Sequence, residues 1–419
     1  MRLLSPRSLL LLPLLLLPAI RSHASGRPLT LDEAVQRGVA RAPLVRAGRD
    51  AIAASRAQAD RAGRLPDPSM SVGVANYPVT APDALRWGAE PMSMRTVGLT
   101  QAIPSEAMRA AQRRRADSSV DVAIASRAVT VESTEQRVAD AWIAVWTEGQ
   151  RQSELVALRD ESALAVQIAR ARLRGGEGSA TDVLAAQAAA LTLENRIDAV
   201  NAAWRAARAE LQRWVGSDAP SVGDAPNFAR LPQTPAALEE NVDRQVPMRV
   251  WRARESAAAA AVAEARAAKR PDWSIGVTYG NRGPGRSDMV SLQFSVSLPV
   301  FTRHRQDAGV SAADDEWRAI QASHDDARRA QRAAVAARLA AWRGWSRQVD
   351  RDRDALLPLA RDRARTALAA YRGGGSLQPW LEARRDEIDL RLSYVDAVAA
   401  RAEQWAALAY LMPGQEELP

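Results

Sequence analysis

The 419-residue sequence contains no cysteine. That absence excludes disulfides, a thiolate metal site and lipid attachment through an N-terminal cysteine, so packing alone must stabilise an exported chain of this length. Histidine is scarce. Besides His23 there are only His304 and His324, which do not stand at metal-ligand spacing from one another. His304 lies between Arg303 and Arg305 and reads as a surface or interface residue. No G-x-S-x-G, H-E-x-x-H or phosphate-cradling loop occurs, so no motif points to an enzyme and no cofactor is expected. Lysine is nearly absent, and arginine is interleaved with acids, as in RDRDALLPLARDRAR (351–365). Such spacing describes solvated helix faces with i,i+4 pairs, and no nucleic-acid partner is expected. Past residue 24 no apolar run approaches the ~20 residues of a transmembrane helix. A mature chain in a membrane therefore has to span it as a β-barrel, the other solution that satisfies every backbone polar group.

The start of the chain does carry an apolar run. Arg2 and Arg7 precede LLLLPLLLLPAI (9–20), and Ser22-His23-Ala24 supplies small residues for cleavage. This reads as a secretory signal peptide over 1–24; a retained anchor fits less well, because the run is short and broken by Pro13 and Pro18. Arg2, Arg7 and Arg21 leave with it, which lowers the formal charge from +8 to +5.

Proline and glycine are missing from two long stretches. Between Pro104 and Leu173 only Gly149 interrupts, and between Thr302 and Arg372 only Gly309, Gly344 and Pro358 do. Continuous helices of this kind would reach about 105 Å. Flanking helices over 29–63 and 179–215 are about half as long, so two of them stacked end to end would match one long helix. Alanine dominates these helices, with sparse larger residues such as Trp142, Ile143, Trp146, Leu155, Trp342 and Trp345 expected to pack.

The chain also repeats itself. LDEAV (31–35) has a counterpart in LEENV (238–242), LPDPSMSVGV (65–74) in RPDWSIGV (270–277), and LRGGEGSATDVLAAQ (173–187) in YRGGGSLQPWLEARR (371–385). The expected organisation is a first unit over 25–215, a Pro-, Gly- and Asp-rich linker over 216–237 and a second unit over 238–419. The first unit has strands at 69–80 and 92–103, a long helix at 104–173 and a helix at 179–215. The second has strands at 271–280 and 288–300, a long helix at 302–372 and a helix at 376–412.

The strands are clearest in the second unit. Trp273, Ile275, Val277 and Tyr279 alternate with small or polar residues, as do Val290, Leu292, Phe294, Val296 and Leu298. A period of two places all of these on one face. Runs of about ten residues suit tilted membrane strands, and a soluble hairpin would alternate in the same way. In the first unit, Met92 and Met94 are out of phase with Val97 and Leu99, which points to a bulge or a late strand start. Four strands cannot close a membrane barrel, which needs about eight or more. Under the membrane reading the strands must come from several copies.

The duplicated helix–strand pair–long helix plan, LTLDEAV near the mature start, SLPVF leading into a helix and the G-x5-D-V-L pattern from Gly176 to Leu184 resemble the TolC-like outer-membrane efflux proteins. The resemblance covers essentially the whole mature chain. The short first connection and LPDPSMSVGV look most like the CzcC type associated with heavy-metal efflux. It implies a mixed α and β membrane protein, with two structural repeats, a long α-helical barrel and a transmembrane β-barrel of four strands per chain. It further implies a homotrimer in the outer membrane, extending into the periplasm to meet an adaptor and an inner-membrane pump of the resistance-nodulation-division (RND) class. The alternatives are the same architecture serving drug or protein export, and a soluble periplasmic coiled-coil scaffold.

The resemblance also assigns candidate residues. The turns holding Arg174, Gly175, Gly176 and Gly178, and Arg372, Gly373, Gly374 and Gly375, become hairpin tips facing the adaptor. Just beyond them the family carries acidic residues that narrow the pore. This pattern falls on Asp182 in the first unit; in the second it falls on Pro379 and Glu382, so one of the usual carboxylates is replaced. Three copies of Glu382 would form a cation-attracting ring, and a solvent-facing helix charge is the plainer alternative. Their nearness in sequence suggests that Arg174 and Arg372 pair with such carboxylates to hold the tip shut.

Overall fold

The computed structural model describes residues 27–80, 82, 84–217 and 221–412. The signal peptide expected over 1–24 lies outside the described residues. Thr30 starts the first helix, α1 (Leu31–Arg41), with a reciprocal cap: its hydroxyl accepts the Glu33 N–H and the Glu33 carboxylate accepts the Thr30 N–H, both at 3.3 Å. Proline at position 43 has no N–H, so the chain breaks at the extended Ala42 and restarts as α2 (Pro43–Arg61). The single helix expected over 29–63 is therefore two. Strands β1 (Ser69–Ala75) and β2 (Met94–Ile103) follow, then α3 (Glu106–Val156), α4 (Arg159–Arg174) and α5 (Ala180–Val215). The second half runs α6 (Pro235–Glu240), α7 (Val246–Ala267), β3 (Trp273–Asn281), β4 (Met289–Val296), α8 (Gln306–Arg351), α9 (Leu357–Arg372) and α10 (Gln378–Ala409).

Both long helices are interrupted where continuous ones were expected. Between α3 and α4 the Leu158 N–H reaches back only three residues, to the Leu155 carbonyl. The tighter turn lets Leu155 and Leu158 both bury against Leu193 and Ile197 of α5. Between α8 and α9 the chain widens into a π turn (Asp352–Leu356), and the Leu357 N–H bonds the Asp352 carbonyl five residues back. Pro358 explains the site, because its ring would clash with the carbonyl four residues earlier in a regular helix. The strands are also shorter than expected. β1 stops at Ala75 and β4 at Val296, ahead of Pro78 and Pro299, which cannot donate to a ladder. The late start at Met94 leaves Met92 outside the strand, while Met94 keeps the parity of Thr96 and Gly98, opposite to Val97 and Leu99.

The helices pack side by side as a layer. The long α3 lies between the half-length α2 and α5 on one side and α7 and α10 on the other, and α8 packs beyond α7 and α10. Long helices thus alternate with stacked half-length pairs. At the far end α4 pairs with α5 and α9 with α10, making two helical hairpins. At the other end the strands make one antiparallel sheet in the order β1-β2-β3-β4. No described helix is long and apolar enough to cross a membrane.

The core sits at mid-length, and the connector between the two halves is built into it. Leu29 forms a parallel bridge with Val222, and Phe228 is buried among Trp146, Trp405 and their neighbours. Two tryptophans are anchored by it, and a third by the Leu29 segment it pairs with. Trp142 donates its indole N–H to the Leu29 carbonyl (2.9 Å), Trp342 to that of Phe228 (3.0 Å) and Trp405 to that of Arg230 (2.8 Å). A buried indole needs such an acceptor, and an aperiodic segment has carbonyls to offer.

Candidate functional site

The register decides what the sheet presents. Pairing Val72 with Val97, Val97 with Tyr279 and Tyr279 with Val290 makes one apolar row across all four strands. Met70, Leu99, Val277 and Leu292 make a second, and Ile275 pairs with Phe294 in a third. Ser71, Gly98, Thr278 and Ser291 line up on the opposite face. The small, polar side is one surface and the large apolar side is the other. Nothing among the described residues covers the apolar one: Val72 is 73% exposed, Leu292 66% and Phe294 71%. Water would oppose that exposure by roughly 25 cal/mol per Å² of apolar surface, whereas hydrocarbon would not. β1 and β4 are also edges, each with a row of unpaired backbone groups within the chain. A bilayer would satisfy the face, and neighbouring copies would satisfy the edges.

At the other end, the two glycine turns are brought together. Gly176 and Gly374 take φ values of +76° and +102°, which glycine adopts without a Cβ penalty and which turn α4 into α5 and α9 into α10. Gly175 and Gly373 close their helices, with N–H groups bonded four residues back to Ala171 and Ala369. Arg172 joins the tips. Its Nη1 donates to the carbonyls of Tyr371 (2.9 Å) and Gly375 (3.0 Å), and its Nη2 to that of Glu177 (3.2 Å). Its guanidinium also lies 4.6 Å from the centre of the buried Tyr371 ring. Ala165, Ala169, Ala186, Leu377 and Trp380 make the apolar floor beneath.

The expected ion pairs of Arg174 and Arg372 are absent within the chain. Both side chains are exposed, and neither pairs with a carboxylate among the described residues. The locking residue is Arg172, which extends from the last turn of its helix across to the second hairpin. One arginine among many carries no distinguishing pattern in the sequence. Asp182 closes a cap, accepting the Ser179 N–H at 3.5 Å while its own N–H donates to the Ser179 hydroxyl at 3.0 Å. Glu382 is exposed one turn into α10 and accepts the Gln378 side-chain amide at 3.0 Å. The chain does not bring the two carboxylates into contact with each other.

A buried ionic cluster stands behind the tips. Glu387, 2% exposed, accepts from Arg384 (2.8 Å) and from Arg391 (2.6 Å). Arg391 continues to Glu154 of α3 (2.6 Å), and an Arg384 nitrogen lies 2.6 Å from a Glu161 oxygen on α4. Burial pushes the Glu387 carboxyl up, but the bond from Arg391 and the charge of Arg384 more than reverse it, and it stays below the ordinary range. Glu132 on α3 is the opposite case. Burial first, then the nearby Glu135, push it up to about 7 against the opposing Arg338.

Solved structures share this arrangement from end to end. The outer membrane protein VceC of Vibrio cholerae superposes with a TM-score of 0.76, at 16% identity over 92% of this chain and 96% of that one. A membrane protein from Pseudomonas aeruginosa gives 0.76 at 21% identity, covering 93% and 91%. The MtrE outer membrane channel of Neisseria gonorrhoeae, in its open state, gives 0.70 at 19% identity, covering 91% and 88%. This is the TolC-like fold. No protein-family model and no curated protein matches the chain. Within the TolC-like fold, the four strands form the β domain and the helical hairpins the opposite end of the helical barrel.

Proposed function

We propose that the chain is one subunit of an outer-membrane channel, the exit duct of a tripartite efflux system. Three copies would close twelve strands into a barrel and continue it as a helical tube into the periplasm. The carrying observation is the exposed apolar face of a four-stranded sheet with two open edges. A soluble periplasmic scaffold would have to leave that face in water. The shared fold with outer membrane channels supports the same reading. The glycine tips, with Arg174 and Arg372 exposed on them, would meet a periplasmic adaptor that leads to an RND-type pump. Glu382 and Asp182, just past the tips, would set the charge of the entrance. The resemblance to CzcC-type proteins supports heavy-metal cations as the exported class, and an acidic entrance favours cations over anions.

The test is growth of a deletion strain on a panel of divalent metals, dyes and antibiotics, complemented with wild type or Glu382→Gln. Sensitivity confined to metals, rescued by wild type alone, supports metal export and a role for Glu382. Sensitivity to dyes and antibiotics alone moves the channel to drug efflux.

A further inference from the structure

The two rims of the sheet use their arginines differently. At the rim far from the helices, Arg282 donates to the Pro91 carbonyl (3.0 and 2.8 Å), and Arg286 to those of Glu90 and Gly88. Arg95 lies over the Trp87 ring. Those cations brace one loop against another. At the rim that meets the helices, the chain crosses between sheet and helix four times, and the crossings carry Arg61, Arg64, Lys269, Arg270, Arg303 and Arg305. The acids there are Asp60, Asp67, Glu106, Asp272 and Asp307, and two are already engaged. Asp272 accepts the Ser105 N–H at 2.9 Å, and Asp307 pairs with Lys269 at 2.5 Å.

Arg270, Arg303 and Arg305 are left exposed, and their side chains make no hydrogen bond or ion pair among the described residues. The segments that carry them are tied together. Ser297 and Asp272 bond each other through the Ser297 N–H (2.9 Å) and the Asp272 N–H (3.0 Å), so the segments on either side run together. The Lys269–Asp307 pair and Arg266–Asp314 (3.2 Å) tie the end of α7 to the start of α8 just beyond. On the sheet side of these arginines stand Trp273 (55% exposed), Leu298 and Val300, the last two continuing the parity of the apolar face. Phe301, 84% exposed, completes the band.

We propose that this rim binds the headgroups of anionic phospholipids. Arg270, Arg303 and Arg305 would hold the phosphodiester and its second charged or hydroxylated group, while acyl chains lie along Trp273, Leu298 and Val300. An aromatic and apolar band bordered by cations is what a membrane–water boundary selects, and an uncommitted guanidinium forks onto phosphate oxygens. The site rests on the membrane reading above and adds selectivity for lipid charge at the helix end of the sheet.

The test uses the full-length protein reconstituted in vesicles of equal phosphatidylglycerol and phosphatidylethanolamine, then extracted with its bound lipid for quantification. Wild type is expected to retain phosphatidylglycerol preferentially, and the triple variant R270Q/R303Q/R305Q to lose about a hundredfold of that preference, at roughly fivefold per charge. R270K/R303K/R305K keeps the charge and should keep most of the preference, which separates lost binding from lost folding. R282Q/R286Q, at the opposite rim, should leave it unchanged. Equal lipid ratios in wild type and the glutamine variant overturn the proposal while leaving the channel reading intact. Failure of wild type to enter any of these vesicles overturns both.

Discussion

Removing Arg172 should loosen the two hairpin tips from one another while leaving each hairpin folded. The interactions of Arg172 that cross between the hairpins are two donor bonds to the Tyr371 and Gly375 carbonyls and the contact with the Tyr371 ring. A bond from a charged donor contributes about 1.5–3 kcal/mol and a cation–π contact about 0.5–2 kcal/mol. Arg172 is half-buried, so the low ends apply, and Arg172→Ala should weaken the junction by about 3–4 kcal/mol. Arg172→Lys keeps the charge but not the planar fork, and should recover less than half. Because the chain has no cysteine, a pair placed at Glu177 and Ser376 can carry two spin labels without background. The wild-type distance distribution should be narrow, and that of Arg172→Ala broad and shifted outward, with helix content unchanged. A narrow, unshifted distribution in the alanine variant would refute the assignment of Arg172 as the tie.

Other consequences can be measured in the same background. Glu387→Gln leaves Arg384 and Arg391 buried beside a neutral group and should lower stability by about 3–5 kcal/mol at neutral pH. The folded-state value of Glu387 lies below its unfolded one, so its contribution is present above the ordinary carboxylate range and lost as pH falls through the folded value. Thermal melts of variant and wild type should therefore converge in acid. Glu132 has the reverse sign: its folded value of about 7 lies above the unfolded one, so its neutral form supports the fold in acid and that support is lost as pH rises through 7. Glu132→Gln should raise the melting temperature at pH 8 and have little effect at pH 4. On the sheet, Leu292→Arg should cost about 2–4 kcal/mol in a bilayer, while Ser291→Arg, on the small-residue face, should cost much less. The yield of each variant in the outer-membrane fraction measures the difference.

Much of this architecture is legible in the residues. The alternation from Trp273 to Tyr279 and from Val290 to Val296 marks both the strands and the face they present, because a period of two has one structural meaning. The long helices are legible from missing proline and glycine. Their interruptions are legible only in part. Pro358 marks the π turn, but the break at Ala157 and Leu158 carries no breaker residue and follows from tertiary burial of two leucines. The connector looked like a loose linker because it has no periodicity. Its role depends on the Phe228 and Arg230 carbonyls, which sequence does not distinguish, meeting the indoles of Trp342 and Trp405 from distant helices. The tip turns were readable from their glycines. Arg172 was not, because its partners are the backbone groups of residues about 200 positions away.

On the proposed function, the four exposed strands are one third of a closed barrel. The mass of the particle extracted from outer membrane into detergent, measured by native mass spectrometry, tests it directly. Three chains per particle are expected. A monomer, or a chain recovered in the soluble periplasmic fraction without detergent, would contradict it.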